Sequence, residues 1–299
     1  MQPGSHTTLA ALLGQVLGAK VLGSRPLSGG DINQAYALSL DDGRQVFVKT
    51  NASAPRTMFP AEARGLTWLA GAATALRIPL VVAVSAADGV GPSYLVLELI
   101  QPGPPARDFH ETLGRGLAAL HRAGAPTFGL DHDNFIGRLP QSNQGIGTGT
   151  DGDWATFYGA RRLEPQLKMA VDAGRASVRM RQGMARLLSQ LPALVGPAEP
   201  PCRLHGDLWG GNMMCADDGS PCLFDPAVYG GHREVDLAMM RLFGGFGSRV
   251  FDAYDESAPL ADGHAERVPL YQLYPLLVHV NLFGGGYAGS VEAAIAQLV

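Results

Sequence analysis

Short apolar runs of strand-like spacing dominate the chain up to about residue 100, and stretches of helical spacing dominate beyond it. Residues 7–18 place apolar side chains at helical intervals, while "VLGSRPLSGG", "QAYALSL" and "RQVFVKT" alternate or run apolar as strands do. Asp41, Asp42 and Gly43 separate the second and third runs and suit a hairpin turn, whereas the glycine-rich "SGGDIN" joins the first to the second. From Met58 to about Ala73 the spacing is helical, with Pro60 tolerable only in the first turn. "IPLVVAVSAADGVGPSYLVLELI" then predicts two more strands around a Gly/Pro turn, completing a five-stranded sheet that carries one helix. "QPGPPARD" has the composition of a linker, and "FHETLGRGLAALHRAG" opens a mostly helical second half. Helical patterns follow at 154–192 and 265–283, on either side of a loop-rich block at 201–234, and "QSNQGIGTGTDGD" at 141–153 reads as a polar loop. The pattern predicts an α+β chain of two lobes: an antiparallel-sheet lobe with one main helix at 1–100 and a larger, mostly helical lobe at 101–299.

Composition narrows the picture. At 299 residues the chain can bury a large core unaided, and its three cysteines (Cys202, Cys215, Cys222) lack the spacing of a disulfide framework or a zinc site. The formal charge of -4 lacks the basic footprint of a nucleic-acid binder. No apolar run reaches the roughly 18 residues of a membrane span, and the N-terminus lacks the basic start of a secretory signal. These features predict a cytoplasmic protein that binds neither nucleic acid nor membrane. Positive charge rests almost wholly on arginine; lysine occurs only at Lys20, Lys49 and Lys168. A lysine retained in such a chain invites a reason.

The chemistry concentrates in "LHGDLWGGNMM" at 204–214, which holds Asp207 and Asn212 five positions apart around glycines. In a magnesium-dependent phosphoryl transfer, a carboxylate orients the attacking hydroxyl and a nearby amide oxygen helps hold the metal; the alternative is an Asx-rich turn. Asp225 follows an apolar run in "CLFDPAVYGG" and suits a second magnesium ligand, with Asn212 and Asp225 on either side of one hairpin, although Asp-Pro also ends ordinary strands. Lys49 shares a strand face with Phe47, and Glu62 on the following helix can steady it over a phosphate; otherwise the lysine snorkels to water and Glu62 is a solvated helix residue. Gly29 and Gly30 would let backbone approach the phosphates closely. Glycine-rich loop, Lys49, Glu62, linker, Asp207, Asn212 and Asp225 follow the order that a kinase-like site requires.

Five stretches carry a resemblance: "FVKTN" at 47–51, "NFIGRLPQSN" at 134–143, "LHGDLWGGN" at 204–212, "FDPAVYGGHREVDLAM" at 224–239 and "LFGGF" at 242–246. Through them the chain resembles, over nearly its whole length, the fructosamine kinase (ketosamine 3-kinase) family, within the aminoglycoside phosphotransferase and protein-kinase-like superfamily. The resemblance implies a two-lobed kinase-like fold and an ATP- and magnesium-dependent kinase acting on the 3-hydroxyl of a ketosamine such as a fructosamine or ribulosamine. It implies Asp207 as catalytic base, Asn212 and Asp225 as magnesium ligands, Leu97, Glu98 and Leu99 as the adenine-facing hinge, and Asp236 as a structural support of the catalytic loop. Two departures stand out. The "VDLA" helix follows Asp225 too closely for a long activation segment, and Asp31 stands in "SGGDINQAY" where some members carry a cysteine.

Other candidates have open alternatives. Trp209 either packs on the substrate or belongs to the core. His279 and Asn281 match a family segment that faces the substrate cleft. Trp154, Phe157, Tyr158 and Arg161 share helical spacing and predict a packed stripe with one charged edge. His121 and His205 read as structural. "FGGGYAGS" at 283–290 and "GQVLGAK" at 14–20 lack the context of a Walker A loop. The rival functions are a phosphotransferase for an aminoglycoside, choline or another amino alcohol, and a nucleotide-binding pseudokinase serving as an interaction module. The expected partner is a small ketosamine or glycated amine.

Overall fold

The computed structural model describes residues 3–27, 33–89, 91–144 and 153–299, with side chains from residue 9 onward. The chain opens with helix α1 (Pro3–Leu17), followed by strands β1 (Val21–Leu27), β2 (Gln34–Leu40) and β3 (Gln45–Thr50). Helix α2 (Met58–Ala70) precedes β4 (Val81–Val84) and β5 (Tyr94–Glu98). The five strands form one antiparallel sheet in the order β1-β2-β3-β5-β4. The Asp41–Gly43 turn closes the β2–β3 hairpin through Leu40 N to Arg44 O at 2.9 Å.

Strand periodicity sorts the two faces of this sheet. Val46, Val48 and Val96 join Leu13 and Leu17 of α1 on one side. Leu95 and Leu97 turn the other way, to Phe59 and Leu66 of α2, with Phe47 against the same cluster. Lys49, in register with Phe47, is thereby delivered to the α2 side.

The rest is mostly helical. It comprises α3 (Phe109–Arg122), the hairpin of β6 (Asn134–Ile136) and β7 (Leu139–Gln141), α4 (Trp154–Tyr158), α5 (Glu164–Asp172) and α6 (Val178–Leu194). Then come β8 (Cys202–Leu204), β9 (Met213–Cys215), β10 (Pro221–Leu223) and β11 (Tyr229–Gly231). Helices α7 (Glu234–Phe243), α8 (Ser248–Ser257), α9 (His264–Phe283) and α10 (Ala288–Ala296) end the chain. The largest core cluster gathers α4, α6, α9 and α10 around Tyr158, Leu204 and Tyr229. The architecture is the two-lobed α+β one that the pattern predicts.

The pattern at 154–192 is corrected in one respect. A π-helical turn at Gly159–Leu163 joins α4 to α5, and its extra residue advances the inward-facing position by one. Trp154, Phe157 and Tyr158 are buried and Arg161 is half-buried, the packed stripe with one charged edge that the spacing predicts, while the neighbouring Arg162 is fully buried. Residues 173–177 then separate α5 from α6.

Candidate active site

The β9–β10 hairpin brings the chemistry-bearing loops together. Met213 pairs with Leu223 at its open end, so Asn212 and Phe224 leave side by side, and Phe224 N donates to Asn212 O at 3.1 Å. Asn212 and Asp225 thus stand on either side of one hairpin. The Asn212 hydrogen bonds run through Nδ2, to Asp207 O (2.8 Å), Asp207 Oδ2 (3.1 Å) and Asp225 O (3.4 Å). The amide oxygen is therefore the atom left for a metal.

Asp207 sits in a loop that Asp236, buried on α7, holds from below: its carboxylate accepts from His205 N (2.8 Å), Gly206 N (2.9 Å) and His121 Nε2 (3.2 Å). Burial works against the Asp236 charge, but these bonds and the nearby imidazoles keep its pKa below the ordinary value. Asp207 N donates to His205 Nδ1 (3.3 Å), so the neutral His205 carries its proton on Nε2 and donates to Phe224 O (3.0 Å). Burial lowers the His205 pKa and preserves that neutral form. Gly206 has φ +82°, and a Cβ there would lie 2.0 Å from Ala227 O, so only glycine lets the two loops approach. Burial pushes the Asp207 carboxyl up to about 7; the Asn212 hydrogen bond opposes the rise, while the charges of Asp225 and Asp236 add to it.

Lys49 is 6% exposed and lies between two carboxylates, with Nζ 2.8 Å from Glu62 Oε1 and 2.6 Å from Asp225 Oδ1. Snorkelling is excluded by this burial. Desolvation alone would lower the lysine pKa, but the two carboxylates raise it and keep the ammonium charged. Burial raises the Glu62 pKa despite the lysine. The sequence supplies Glu62 as partner; the ion pair with Asp225, 176 residues away, has no local signal. Asp225 is one of two non-glycine residues with positive φ among the described ones, at 55°.

Magnesium fits this donor set. Asp207, Asp225 and Glu62 set three carboxyl groups against one lysine, and Asp225, whose side chain is 35% exposed, meets Lys49 through Oδ1 and keeps Oδ2 outside that contact. Magnesium takes a few protein oxygens plus phosphates and water, and the Asn212 amide oxygen and an Asp225 carboxylate oxygen are donors of that kind.

The remaining candidates divide. Gly29 and Gly30, with Asp31, lie outside the described residues. Leu97 turns its side chain into the core, and the Glu98 carboxylate is bound by Arg77 Nη2 at 2.7 Å and by Leu80 N at 3.3 Å. This leaves backbone and the half-buried Leu99 to face a nucleotide. Trp209 is 40% exposed, so the core alternative is excluded, and its ring covers Gly211 so closely that a Cβ there would lie 2.3 Å from it. Phe243 links Trp209 to His279, with ring centroids 6.3 and 4.5 Å away. Phe283 and Tyr287 complete this aromatic surround at 5.4 and 5.0 Å from His279. They come from "LFGGF" and "FGGGY", whose aromatic positions are the signal that was available. Asn281 is not part of the group: its Nδ2 donates to Gln166 O (2.9 Å) and Oε1 (2.8 Å) in α5.

This arrangement, a buried lysine clamped by a helix carboxylate beside an Asp-Asn loop and a second aspartate on a hairpin, defines a phosphotransferase of kinase-like build. More specifically, the chain belongs to the fructosamine kinase family, whose model matches residues 5–299. It is 39% identical to a probable ketoamine kinase of Synechocystis sp., over 99% of this chain and 97% of that protein. It is 38% identical to the chloroplastic protein-ribulosamine 3-kinase of Arabidopsis thaliana, over 90% of this chain and 80% of that one. A crystal structure of a candidate fructosamine-3-kinase from Thermobifida fusca superposes with a TM-score of 0.85 at 38% identity, covering 97% of this chain and 98% of the other. The aminoglycoside phosphotransferase APH(4)-Ia shares the fold, with a TM-score of 0.63 at 18% identity over 98% and 99% of the two chains. The protein is a kinase that phosphorylates an alcohol group.

Proposed function

We propose that the protein transfers the γ-phosphoryl group of ATP, with magnesium, to the 3-hydroxyl of a ketosamine such as a fructosamine or ribulosamine. The observation that carries this reading is the convergence of Lys49, Glu62 and Asp225 with Asp207 and Asn212 in one partly buried cluster. Lys49, steadied by Glu62, neutralises nucleotide charge as it releases Asp225 to a metal. Asp207 orients the acceptor hydroxyl and takes its proton; a carboxyl with a pKa near 7 is matched to that task at neutral pH. Magnesium held by Asn212 and Asp225 supplies charge neutralisation at the phosphates. Gly29 and Gly30 cover the phosphates, the Leu97–Leu99 backbone faces the adenine, and Trp209 with His279 forms an aromatic wall for the sugar and its amine substituent. We place the lobe boundary between residues 100 and 101 and the protein in the cytoplasm. Among the described residues no helix is long and apolar enough to cross a membrane.

Supporting a ketosamine over a polycationic aminoglycoside, the candidate acceptor wall among the described residues is built from aromatic rings, Trp209, Phe243, His279, Phe283 and Tyr287. A coupled ATPase assay across fructosamines, ribulosamines, kanamycin-like compounds and choline tests the reading, with NMR of the product to locate the phosphate. Turnover confined to the last two classes, or phosphate on another hydroxyl, overturns it.

A further inference from the structure

The stretch "NFIGRLPQSN" belongs to the β6–β7 hairpin and supplies none of the groups assigned above, yet it carries a buried network of side-chain hydrogen bonds. Asn134 and Gln141 face each other across the hairpin register and are both buried. Gln141 Nε2 donates to Asn134 Oδ1 at 2.8 Å and to Ala227 O at 3.1 Å, while Asn134 Nδ2 donates to Val228 O at 2.8 Å. Gln141 Oε1 in turn accepts from the Tyr274 hydroxyl at 2.7 Å. One glutamine therefore joins two segments distant in sequence: the peptide just after Asp225, and α9, which carries Tyr274 and, further along, His279.

The peptide held this way is the one against which the base loop packs. Ala227 N donates to His205 O at 2.9 Å, and Gly206 closes on Ala227 O too tightly for a Cβ. The Asp225 side chain projects two residues from a carbonyl fixed by Gln141. Beneath the hairpin, Arg162 Nη2 donates to Asn143 Oδ1 at 2.6 Å, and Asn143 Nδ2 donates to Asn134 Oδ1 at 2.6 Å. The guanidinium lies 3.8 Å from the Tyr229 ring centroid, and among the described residues no carboxylate is within ion-pair distance of it. A floor needed only for stability would be met by apolar side chains. Buried amides each cost about 1–3 kcal/mol if left unpaired, and a satisfied network instead fixes a single geometry.

We propose that Gln141 is a positioning residue for phosphoryl transfer, setting the Ala227–Val228 peptide, and with it Asp225, relative to α9. The proposal rests on the reading of Asp225 as a metal ligand. It accounts for a hydrogen-bonding Gln/Asn pair in a hairpin that supplies none of the nucleotide, metal or acceptor groups proposed above.

The test is calorimetric titration of ADP, with and without magnesium, on the wild type and on Gln141→Leu, Tyr274→Phe and Asp225→Asn, together with kcat and melting temperature. Gln141→Leu is expected to keep the magnesium-free ADP affinity, to lose about tenfold of the gain that magnesium brings, and to lower kcat by about 10- to 100-fold, the scale of a misplacement near 1 Å. Tyr274→Phe removes one hydroxyl and shifts both readouts in the same direction by a few-fold; it decides the matter if Gln141→Leu does not fold. A lowered melting temperature with unchanged magnesium gain and kcat in both variants marks a purely structural role and overturns the proposal. If Asp225→Asn abolishes the magnesium gain while Gln141→Leu and Tyr274→Phe do not touch it, positioning alone fails. If Asp225→Asn also leaves it intact, the metal reading fails and the proposal falls with it.

Discussion

Replacing Lys49 by Met keeps the length of the apolar stem and removes one ammonium from between two carboxylates. At the observed 2.8 and 2.6 Å each contact has a gross Coulomb energy of about 6 kcal/mol at an effective dielectric near 20, most of it offset by desolvation. Removing one member of a buried pair costs about 3–5 kcal/mol, because the remaining charge stays behind. Here the remaining charge has an exit. Glu62 already has a raised pKa through burial, and without the lysine it rises further, so the carboxyl takes up a proton. A group whose folded pKa lies above its unfolded one stabilises the fold fully below the unfolded value and loses that contribution as pH rises through the folded one. The substitution is therefore expected to cost about 3 kcal/mol at pH 8 and clearly less at pH 5.5. Activity responds differently: losing a preorganised charge at the phosphates lowers kcat/KM for ATP by about 100- to 1,000-fold at both pH values. Urea unfolding followed by tryptophan fluorescence, with Trp68 reporting from α2, and initial rates on the same preparations measure both effects. A stability loss below about 0.5 kcal/mol, or a loss independent of pH between 5.5 and 8, refutes the electrostatic account, and near-wild-type rates remove Lys49 from the site.

Asp207→Asn should leave ADP affinity near the wild-type value while turnover drops by at least about 100-fold, since only the proton acceptor is lost; steady-state rates alongside calorimetry decide it. Gly206→Ala forces a Cβ toward Ala227 O from a left-handed backbone, so a stability loss of more than about 1 kcal/mol together with slower turnover is expected, and a silent variant contradicts the tight loop packing. His232, stacked on Tyr271 with a ring distance of 5.3 Å, has its pKa lowered to about 4 by burial, against the pull of Glu199 and with help from Arg233, Arg267 and His121. A folded pKa below that of an ordinary histidine makes stability fall as pH drops from about 6.5 to about 4, by up to about 3 kcal/mol, and His232→Phe should flatten that part of a pH–denaturation profile.

The sheet and α2 were legible because their signals are local. Alternating apolar positions, the Asp41–Gly43 turn and Pro60 at a helix start each act within a few residues. The order of Lys49, Glu62, Asp207, Asn212 and Asp225 was legible as a motif, and the hairpin that sets Asn212 beside Asp225 followed from their spacing. What stayed hidden depends on long-range closure. The contact of Lys49 with Asp225 spans 176 residues, and that of Gln141 with Tyr274 spans 133. The π turn was invisible because one inserted residue leaves an apolar pattern that still resembles an ordinary helix, so the burial of Arg162 had no signal in the spacing. Helices α8 and α10 escaped for a related reason: "SRVFDAYDES" is mostly polar and "AGSVEAAIA" is short and begins beside glycines, so neither shows a long periodic face.

The left-handed backbone of Asp225 sorts residues by shape before it sorts them by charge. Glycine, asparagine and aspartate enter that conformation readily, whereas most other side chains are strained there by about 1–3 kcal/mol. A descendant of this chain that had abandoned phosphoryl transfer would be released from the carboxylate but not from the bend, and substitutions surviving at this position would collect on Asn and Gly. On the reading of Asp225 as a metal ligand, a related chain with Asn or Gly at this position is expected to keep the bend and the fold while losing turnover.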